Sequence, residues 1–511
     1  MSVPVTALPN NTNSLWLKDP SLRKNVAAAV VCYFATFALG YDGSYMTGLQ
    51  SMSTWNEYFD HPAGNTLGII SASSYLPTLA LSPFYGIIAD RFGRRASAVL
   101  GALVIIAGAL IGTFANGLGM LIAGRALVGT GGFIMIMGSN LLLNELLHPR
   151  LRPIGSAFFL VFYYVGSSVS AWVTFAIIAS DWLDTDWSWR VPTLLQALGA
   201  VVVAVGTIFL PESPRWLVAK GRHEKALRVL ASHHSNGRED DALVQQELAD
   251  MMGAIERERS AKLGVLSFLK TAGNRHRLII LIATSAGGQL NGQSVFSYYL
   301  APVLRLVGVT SAKEQTAING GLALWNLLLA ASGAAIVDRV GRRKLWLLST
   351  GIMFVCYTVL IGCSAGFEKT QQKSMGLATV AFIFLCNGGY TTEVLPYSLR
   401  ASGLSMFMWL KNAALTFCQW VNPIGLEAGG WRYYFLFFGI LLVLLLIIFF
   451  FFIETKGLTL EEITLLFDGD DAVLAASSLE DRKEAADAQV KFGAKQRDVK
   501  HLERKLSGEE V

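Results

Sequence analysis

Charged residues are scarce in this chain of 511 residues. Asp, Glu, Lys and Arg make up 15% of it, against 53% hydrophobic residues, and the mean hydropathy is +0.45. A soluble globular domain carries about 25% charged residues, so the composition argues against an ordinary soluble protein. The net charge of +5 does not indicate a nucleic-acid partner, because Lys and Arg cluster in loops between apolar runs.

Cysteine and the usual motifs of catalysis are also sparse. The five cysteines form no C-x-x-C pair and lie within or beside apolar segments, which predicts buried free thiols. We find no nucleophile elbow, P-loop or metal-ligand cluster, so we expect neither an enzyme nor a cofactor. The adjacent His233 and His234 lack matching Cys or carboxylate spacing, and we interpret them as part of a solvated helix face.

Long apolar runs are what the sequence has in abundance. They fall at about 25–48, 66–89, 97–115, 119–143, 154–179 and 191–210, and again at about 277–301, 316–337, 345–365, 375–395, 401–423 and 431–453. A membrane-spanning helix needs about 20 residues. We therefore predict an all-α membrane protein with 12 transmembrane helices in two pseudo-symmetric six-helix bundles.

The polar segments around these runs define the predicted domains. A charged stretch between the two sets predicts short cytoplasmic helices, and no cleavable signal peptide precedes the first run. The predicted segments are a disordered lead (1–23), an N-terminal bundle (24–211), a helical linker (212–276), a C-terminal bundle (277–453) and a charged tail (454–511).

Two basic loops share an order of residues. The stretches GIIADRFGRR at 86–95 and GAAIVDRVGRR at 333–343 both contain D-R-x-G-R-R. Three pairs of charged residues are also 248 positions apart: Asp90 and Asp338, Glu145 and Glu393, Arg152 and Arg400. These coincident offsets indicate an internal duplication. Because basic loops face the cytosol, we expect a multi-pass protein of the plasma membrane with both termini cytoplasmic.

Several motifs resemble those of one transporter family. They are Gly40-Tyr41-Asp42, Gly124-Arg125, PESPRWL at 211–217 and ETKG at 454–457, together with the doubled basic loop. The chain resembles the major facilitator superfamily and, within it, the sugar porters. Several short stretches of its sequence are similar to those of fungal lactose-permease-like and hexose transporters. The resemblance implies a monomer in the lipid bilayer that imports a sugar by alternating access, with proton symport.

The resemblance also implies a proton-coupling pair inside the membrane. Proton-coupled members of the family carry Asp at the position of Asp42, opposite an Arg matching Arg125. A lone carboxylate in hydrocarbon is expensive and normally faces a wet cavity or a cationic partner. We therefore expect Asp42 to accept the proton and Arg125 to tune its affinity. A static ion pair that orders runs one and four is the alternative.

The family pattern assigns sugar contacts to amide and hydroxyl side chains, which suit sugar hydroxyls, and to aromatic rings. The assigned residues are Tyr164, Gln289, Ser294, Tyr298, Tyr299, Asn319 and Asn326. Gly288 stands where the family has the first of two adjacent glutamines. The alternative for each amide is a hydrogen bond between helices without a ligand.

A cytoplasmic gate is implied in the same way. The family pairs charged groups across helix ends when the outside is open; here they are Asp90, Arg94, Glu145, Arg152, Glu212, Asp338, Arg342, Glu393, Arg400 and Glu454. The alternative is that the arginines only determine topology.

Run ten departs from the family. Its apolar part has only about twelve residues before Asn387, short of the roughly 20 that span a bilayer, although polar residues can complete the helix where it lines a cavity. Compared with the family, about ten residues are expected to be missing here, which keeps a non-transporting sugar sensor open as an alternative. Passive sugar facilitation is a second alternative to symport.

Overall fold

A computed structural model describes residues 15–180, 185–260, 272–393 and 401–454. Within these ranges every regular element is helical and no strand occurs, as the all-α prediction requires. In the first half the helices are α1 (Pro20–Ser51), α2 (Ser53–Tyr58), α3 (Gly64–Ala72), α4 (Leu76–Leu81), α5 (Tyr85–Phe92), α6 (Arg94–Thr113), α7 (Leu118–Leu146), α8 (Arg152–Ser180), α9 (Trp187–Leu195) and α10 (Ala197–Ile208).

The first long helix begins at a well-defined cap. The Asp19 carboxylate accepts hydrogen bonds from the backbone N–H groups of Ser21 and Leu22, at 2.9 and 3.2 Å, and Pro20 occupies the first helical position. The cap satisfies donors that have no partner within the helix, and proline needs none there. This end of α1 is therefore tied to the polar segment ahead of the membrane.

Three short helices connect the halves, as predicted: α11 (Pro214–Ala219), α12 (His223–His234) and α13 (Ala242–Ser260). The interpretation of His233 and His234 as a solvated face is wrong, because their side chains are 8% and 0% exposed. The His234 ring contacts Glu247 and lies 3.0 Å from the Leu146 carbonyl oxygen. Asn25 of α1 donates to the His233 carbonyl oxygen at 2.6 Å. These contacts dock the linker under the first half.

The described part of the second half contains one broken segment and five long helices. The helices are α14 (Ala272–Ile282), a π-helical turn (Ala283–Gly287), α15 (Gly288–Leu290), α16 (Gln293–Tyr298), α17 (Leu300–Leu306), α18 (Ala312–Val340), α19 (Arg342–Thr370), α20 (Lys373–Glu393), α21 (Ala401–Gly429) and α22 (Tyr434–Phe451). Run seven breaks at Gly292, whose φ of +90° is left-handed. A Cβ there would overlap the Tyr357 hydroxyl, so only glycine fits both the conformation and the space.

Run ten is longer than the sequence indicated. Helix α20 continues through the polar residues to Glu393 and has 21 residues, or about 32 Å at 1.5 Å per residue. The polar residues therefore complete the helix to a length that can cross a bilayer, whereas the expectation of about ten missing residues stays a prediction. The Asn387 amide donates to the Ile383 carbonyl oxygen at 3.1 Å, and the Ser349 hydroxyl donates to the Gly389 carbonyl oxygen at 2.8 Å. These hydrogen bonds hold the polar residues within the helix and against α19.

Seven helices of the described chain are long and apolar enough to cross a membrane, or eight if α3 and the bent segment after it form one span. The broken run seven and the more polar α18 and α20 are not among them, so the number of twelve spans remains a prediction. Large apolar side chains point outward; Leu103 is 55% exposed and Phe450 72% exposed. Such surfaces suit lipid rather than water.

Candidate functional site

A cavity of about 350 Å³ lies between the two halves. Helices α1, α4, α7 and α8 of the first half face α15, α16, α18, α20 and α21 of the second across it. Close helix packing shapes the first-half wall: a Cβ on Gly40 would overlap the Tyr163 carbonyl oxygen of α8. Glycine therefore allows α1 and α8 to approach, which places Asp42 at the cavity.

The structure brings six of the seven predicted sugar contacts to this cavity. Its wall includes Tyr164, Gln289, Ser294, Tyr298, Asn319 and Asn326. The seventh, Tyr299, is fully buried outside the wall. Its hydroxyl donates to the Gln419 carbonyl oxygen at 2.5 Å. Tyr299 follows the last residue of α16, and its ring packs toward α21 and away from the cavity.

Two polar wall residues show unused hydrogen-bonding capacity. The side-chain oxygen of Asn326 and the side-chain nitrogen of Asn412 are buried without a hydrogen-bond partner among the described residues. A buried amide normally finds a partner. Asn319, by contrast, donates to the Ser44 hydroxyl across the halves at 3.4 Å, and Ser294 accepts from Asn422 at 2.9 Å. The cavity therefore combines satisfied amides with open positions for a polar ligand.

Asp42 and Arg125 form the buried ion pair that the sequence predicted. Their nearest oxygen and nitrogen atoms are 3.5 Å apart, and the two residues are 5% and 4% exposed. Gln196 donates to the same Asp42 oxygen at 2.5 Å. Arg125 also donates to the Ile70 carbonyl oxygen at 2.9 Å and to the Tyr45 hydroxyl at 3.2 Å. Because Asp42 also lines the cavity, a ligand and the carboxylate share one space.

The two halves are joined at the end of the cavity remote from the basic loops. The Tyr75 hydroxyl donates to the Tyr298 hydroxyl at 3.1 Å, and Thr47 and Gln50 donate to the backbone of 297 and 298, each at 3.0 Å. Nearby, the Trp420 indole donates to the Asn65 side chain at 2.9 Å. These bonds close this end, and Tyr298 forms part of the closure as well as of the wall.

At the basic end, the predicted gate residues of the first half bind one another. Arg94 lies 3.1 Å from Asp90 and 3.2 Å from Glu145. Glu212 accepts from the backbone N–H of Arg94 at 3.0 Å. Arg152 does not join this cluster but lies 3.7 Å from Glu247 of the linker.

In the second half, Glu454 accepts from the backbone N–H groups of Arg342 and Arg343. The side chains of Asp338 and Glu393, and the whole of Arg400, lie outside the described residues. Among the residues described, no ion pair joins the two halves at the basic end.

Sequence reasoning missed Gln196, Gln293 and Lys411, all of which line the cavity. Gln293 stands four residues after Gln289, the spacing of one helical face, and it donates to the Asn387 side chain at 3.2 Å. Each is a polar residue in an apolar run, which is a usable signal. Nothing else in the sequence indicated that Gln196 lies beside Asp42.

Comparisons with known proteins agree over most of the chain. A family model described as Sugar (and other) transporter matches residues 28–467. Sugar transporter STL1 of Saccharomyces cerevisiae is 26% identical over 487 residues, covering 90% of this chain and 83% of its own. The arabinose-proton symporter of Bacillus subtilis is 27% identical over 455 residues, which cover 84% of this chain and 92% of the symporter. MFS-type transporter criB of Aspergillus cristatus is 24% identical over 474 residues, which cover 90% of this chain and 96% of criB.

Solved structures share the fold. The xylose transporter XylE from E. coli, in a partially occluded inward open conformation, matches with a TM-score of 0.71 at 20% identity, covering 85% of this chain and 99% of that one. A second structure matches with a TM-score of 0.69 at 20% identity, and the match covers 87% of this chain and 99% of that one. It is described as the MFS (major facilitator superfamily) proton:xylose symporter XylE bound to a bromodeoxyglucose.

Proposed function

Because the chain belongs to the family of sugar (and other) transporters and has the major facilitator fold, as its motifs predicted, we propose that it imports a sugar together with a proton by alternating access. The observation that carries this proposal is a cavity between the two halves whose wall includes both hydrogen-bonding amides and the carboxylate of Asp42. A ligand in that cavity and a proton on that carboxylate would act on the same helices.

The cavity suits a small polyhydroxylated ligand. Its volume of about 350 Å³ falls in the range of about 300 to 1,000 Å³ that ligand pockets occupy. Amides of Gln289, Gln293 and Asn326 offer both donors and acceptors, and Tyr164 and Tyr298 supply aromatic surface. Sugar rings need this combination. Tyr299 would act indirectly, by holding the broken segment against Gln419.

Proton coupling would run through the ion pair of Asp42 and Arg125. Protonation of Asp42 removes its charge and weakens its attraction to Arg125, which holds α1 beside α7 and the α3 backbone at Ile70. The released Arg125 would keep its bonds to Ile70 and Tyr45. Protonation therefore changes the balance of contacts within the first half. A permanently ionised pair would give a passive facilitator instead.

Alternating access would require the two ends of the cavity to open in turn. Hydrogen bonds join the halves at the end remote from the basic loops, and the described ion pairs at the basic end of the first half stay within that half. With basic loops in the cytosol, the hydrogen-bonded end would be the one that faces the outside. Segments 24–211 and 277–453 would be the two moving bodies, linked through 212–276. The plasma membrane is the expected location.

Sugar-dependent proton movement tests the proposal. The full-length protein is reconstituted in vesicles containing a pH-sensitive dye, and pentoses, hexoses and disaccharides are added in turn outside. We expect at least one sugar to acidify the lumen, and a protonophore to abolish its accumulation against a gradient. Sugar entry without a pH change would identify a passive facilitator. Sugar binding without entry would support a sensor, and absence of both binding and entry would indicate a different substrate.

A further inference from the structure

We infer that the central cavity takes a polyhydroxylated carboxylate, a sugar acid such as a uronate, in preference to a neutral sugar. This inference rests on the proposed transport function and specifies the substrate class of the same site. It starts from Lys411, a lysine in the wall of the cavity that the transport mechanism described above does not use.

Lys411 lies at the depth where a membrane protein seldom keeps a free charge. It is ten residues after the start of α21 (Ala401–Gly429), or about 15 Å along the helix axis. Its neighbours Met408, Asn412 and Leu415 on the same helix also line the cavity. The lysine therefore faces the ligand space from within the apolar segment that begins at Met406.

Within the described residues, no protein group neutralises this ammonium. Lys411 makes no hydrogen bond and no ion pair there. Its side chain is half-buried and lines the cavity. Charged side chains inside membranes usually pair with one another or mark the path of a charged substrate. Because Lys411 has no such partner among the described residues, we infer that it marks the path of a charged substrate.

The charges around the cavity leave a net positive site. Its wall contains two charged side chains among the described residues, Asp42 and Lys411. The charge of Asp42 is already matched by Arg125 at 3.5 Å and by the Gln196 amide. One carboxylate therefore stands against two cations, and a bound anion restores neutrality. A neutral sugar would leave the ammonium without a counter-charge.

Neighbouring groups complete a site for a carboxylate on a hydroxylated ligand. The Asn412 amide nitrogen, next to Lys411, is buried and has no hydrogen-bond acceptor among the described residues. Because both residues line the same cavity, an ammonium and an amide N–H are available to the two oxygens of one carboxylate. Elsewhere in the wall, Gln289 and Asn326 remain for hydroxyl groups. Phosphate esters would also supply oxygens, but a single ammonium and one amide balance a monoanion better than a dianion.

Binding measurements on the purified full-length protein at pH 7 test the inference. Glucuronate and galacturonate are compared with glucose and galactose by calorimetry, so each pair differs only in the carboxylate. We expect each uronate to bind at least about ten-fold more tightly than its neutral partner, as a desolvated charge-assisted contact provides. Radiolabelled uptake into vesicles with the same four compounds should show the same order.

Variants assign the preference to the lysine. Lys411→Gln should weaken uronate binding about ten-fold or more and leave neutral-sugar binding within about three-fold, whereas Lys411→Arg should keep the preference for the uronates. Lys369→Gln removes the same charge from an exposed site at the end of α19 and should change nothing. Thermal unfolding of each variant reports whether it is folded. If Lys411→Gln does not fold, the wild-type ratio and Lys411→Arg decide.

Three results overturn the inference. Neutral sugars that bind as tightly as uronates contradict the anionic substrate but leave sugar transport standing. A uronate preference that survives Lys411→Gln contradicts the role of the lysine. Failure of all four compounds to bind also contradicts the inference, whereas the proposed function fails only if pentoses and disaccharides fail to enter vesicles as well.

Discussion

Glu212 and Glu454 make the same contact in the two halves of the chain. Each carboxylate accepts hydrogen bonds from the backbone N–H groups of the two consecutive arginines that start a long helix, at 3.0 and 3.2 Å in both cases. The glycine before the arginines has φ of +97° in one half and +98° in the other. The contact places a negative charge at the positive end of a helix dipole, and it is the structural counterpart of the repeated D-R-x-G-R-R order.

This contact predicts equal losses of stability in the two halves. Glu212→Gln and Glu454→Gln should each lower the free energy of unfolding by about 1 to 2 kcal/mol, since each removes a charged acceptor from a helix N-terminus. The measurement is thermal unfolding in detergent. Glu57→Gln, at an exposed site, is the matched control. A large loss in only one variant would contradict the equivalence of the two contacts.

The closure opposite the basic loops depends on a hydroxyl pair. Tyr75→Phe removes the hydrogen bond to Tyr298, worth about 1 kcal/mol, and should shift the balance toward the outward-open form about five-fold. The measurement is labelling of Ser44→Cys, at the cavity wall, by an impermeant reagent added outside intact cells. The same protein without that cysteine corrects for the five native thiols. Unchanged labelling would show that this bond does not contribute to closure.

The approach of α1 to α8 has a steric requirement at Gly40. Gly40→Ala would place a methyl group on the Tyr163 carbonyl oxygen, and we expect a loss of about 2 kcal/mol or more, because backbone cannot move aside as a side chain can. Gly439→Ala provides the control, since a Cβ there meets no atom within 4 Å. Folding yield and thermal unfolding compare the two. Equal behaviour of the variants would contradict the close approach.

The docked linker should weaken in acid. The pKa of the His233 imidazole is lowered from 6.5 to about 4 in total, and burial is the largest cause. The hydrogen bond to the Val229 carbonyl oxygen opposes this shift, whereas the neighbouring charges of His234 and Lys24 add to it. Between those two pH values the unfolded chain binds more protons than the folded one, so stability falls as pH drops below about 6.5.

From pH 7.5 to pH 5 the loss attributable to this group is about 2 kcal/mol. Thermal unfolding at the two pH values measures it, and His233→Gln should reduce the difference. A difference of the same size in that variant would assign the pH dependence to other groups.

Hydropathy and motifs were sufficient for the architecture and for the main ion pair. The D-R-x-G-R-R repeat and the Asp42 motif predicted contacts that the structure contains, because a charge in an apolar run has few possible partners. The apolar part of run ten is shorter than a membrane span because residues that line a cavity are polar even within a helix. The same effect concealed Lys411.

Local geometry limited the remaining predictions. Tyr298 and Tyr299 could not be distinguished from the sequence, since the π-helical turn before Gly292 changes which face of the segment meets the cavity. His234 was misjudged because its burial depends on Glu247, in the next helix of the same linker, and on Leu146, at the end of α7. Such long-range contacts leave no periodic pattern.

The role of Asp42 is the centre of the account, and one variant tests it most directly. Asp42→Asn keeps the shape and the hydrogen bond capacity toward Gln196 but cannot exchange a proton. Vesicles containing this variant should exchange labelled substrate across the membrane at a rate near that of the wild type. They should fail to accumulate it when a proton gradient is imposed, while Asp60→Asn, at an exposed site, should accumulate normally. Unchanged accumulation by Asp42→Asn would contradict proton coupling through this carboxylate.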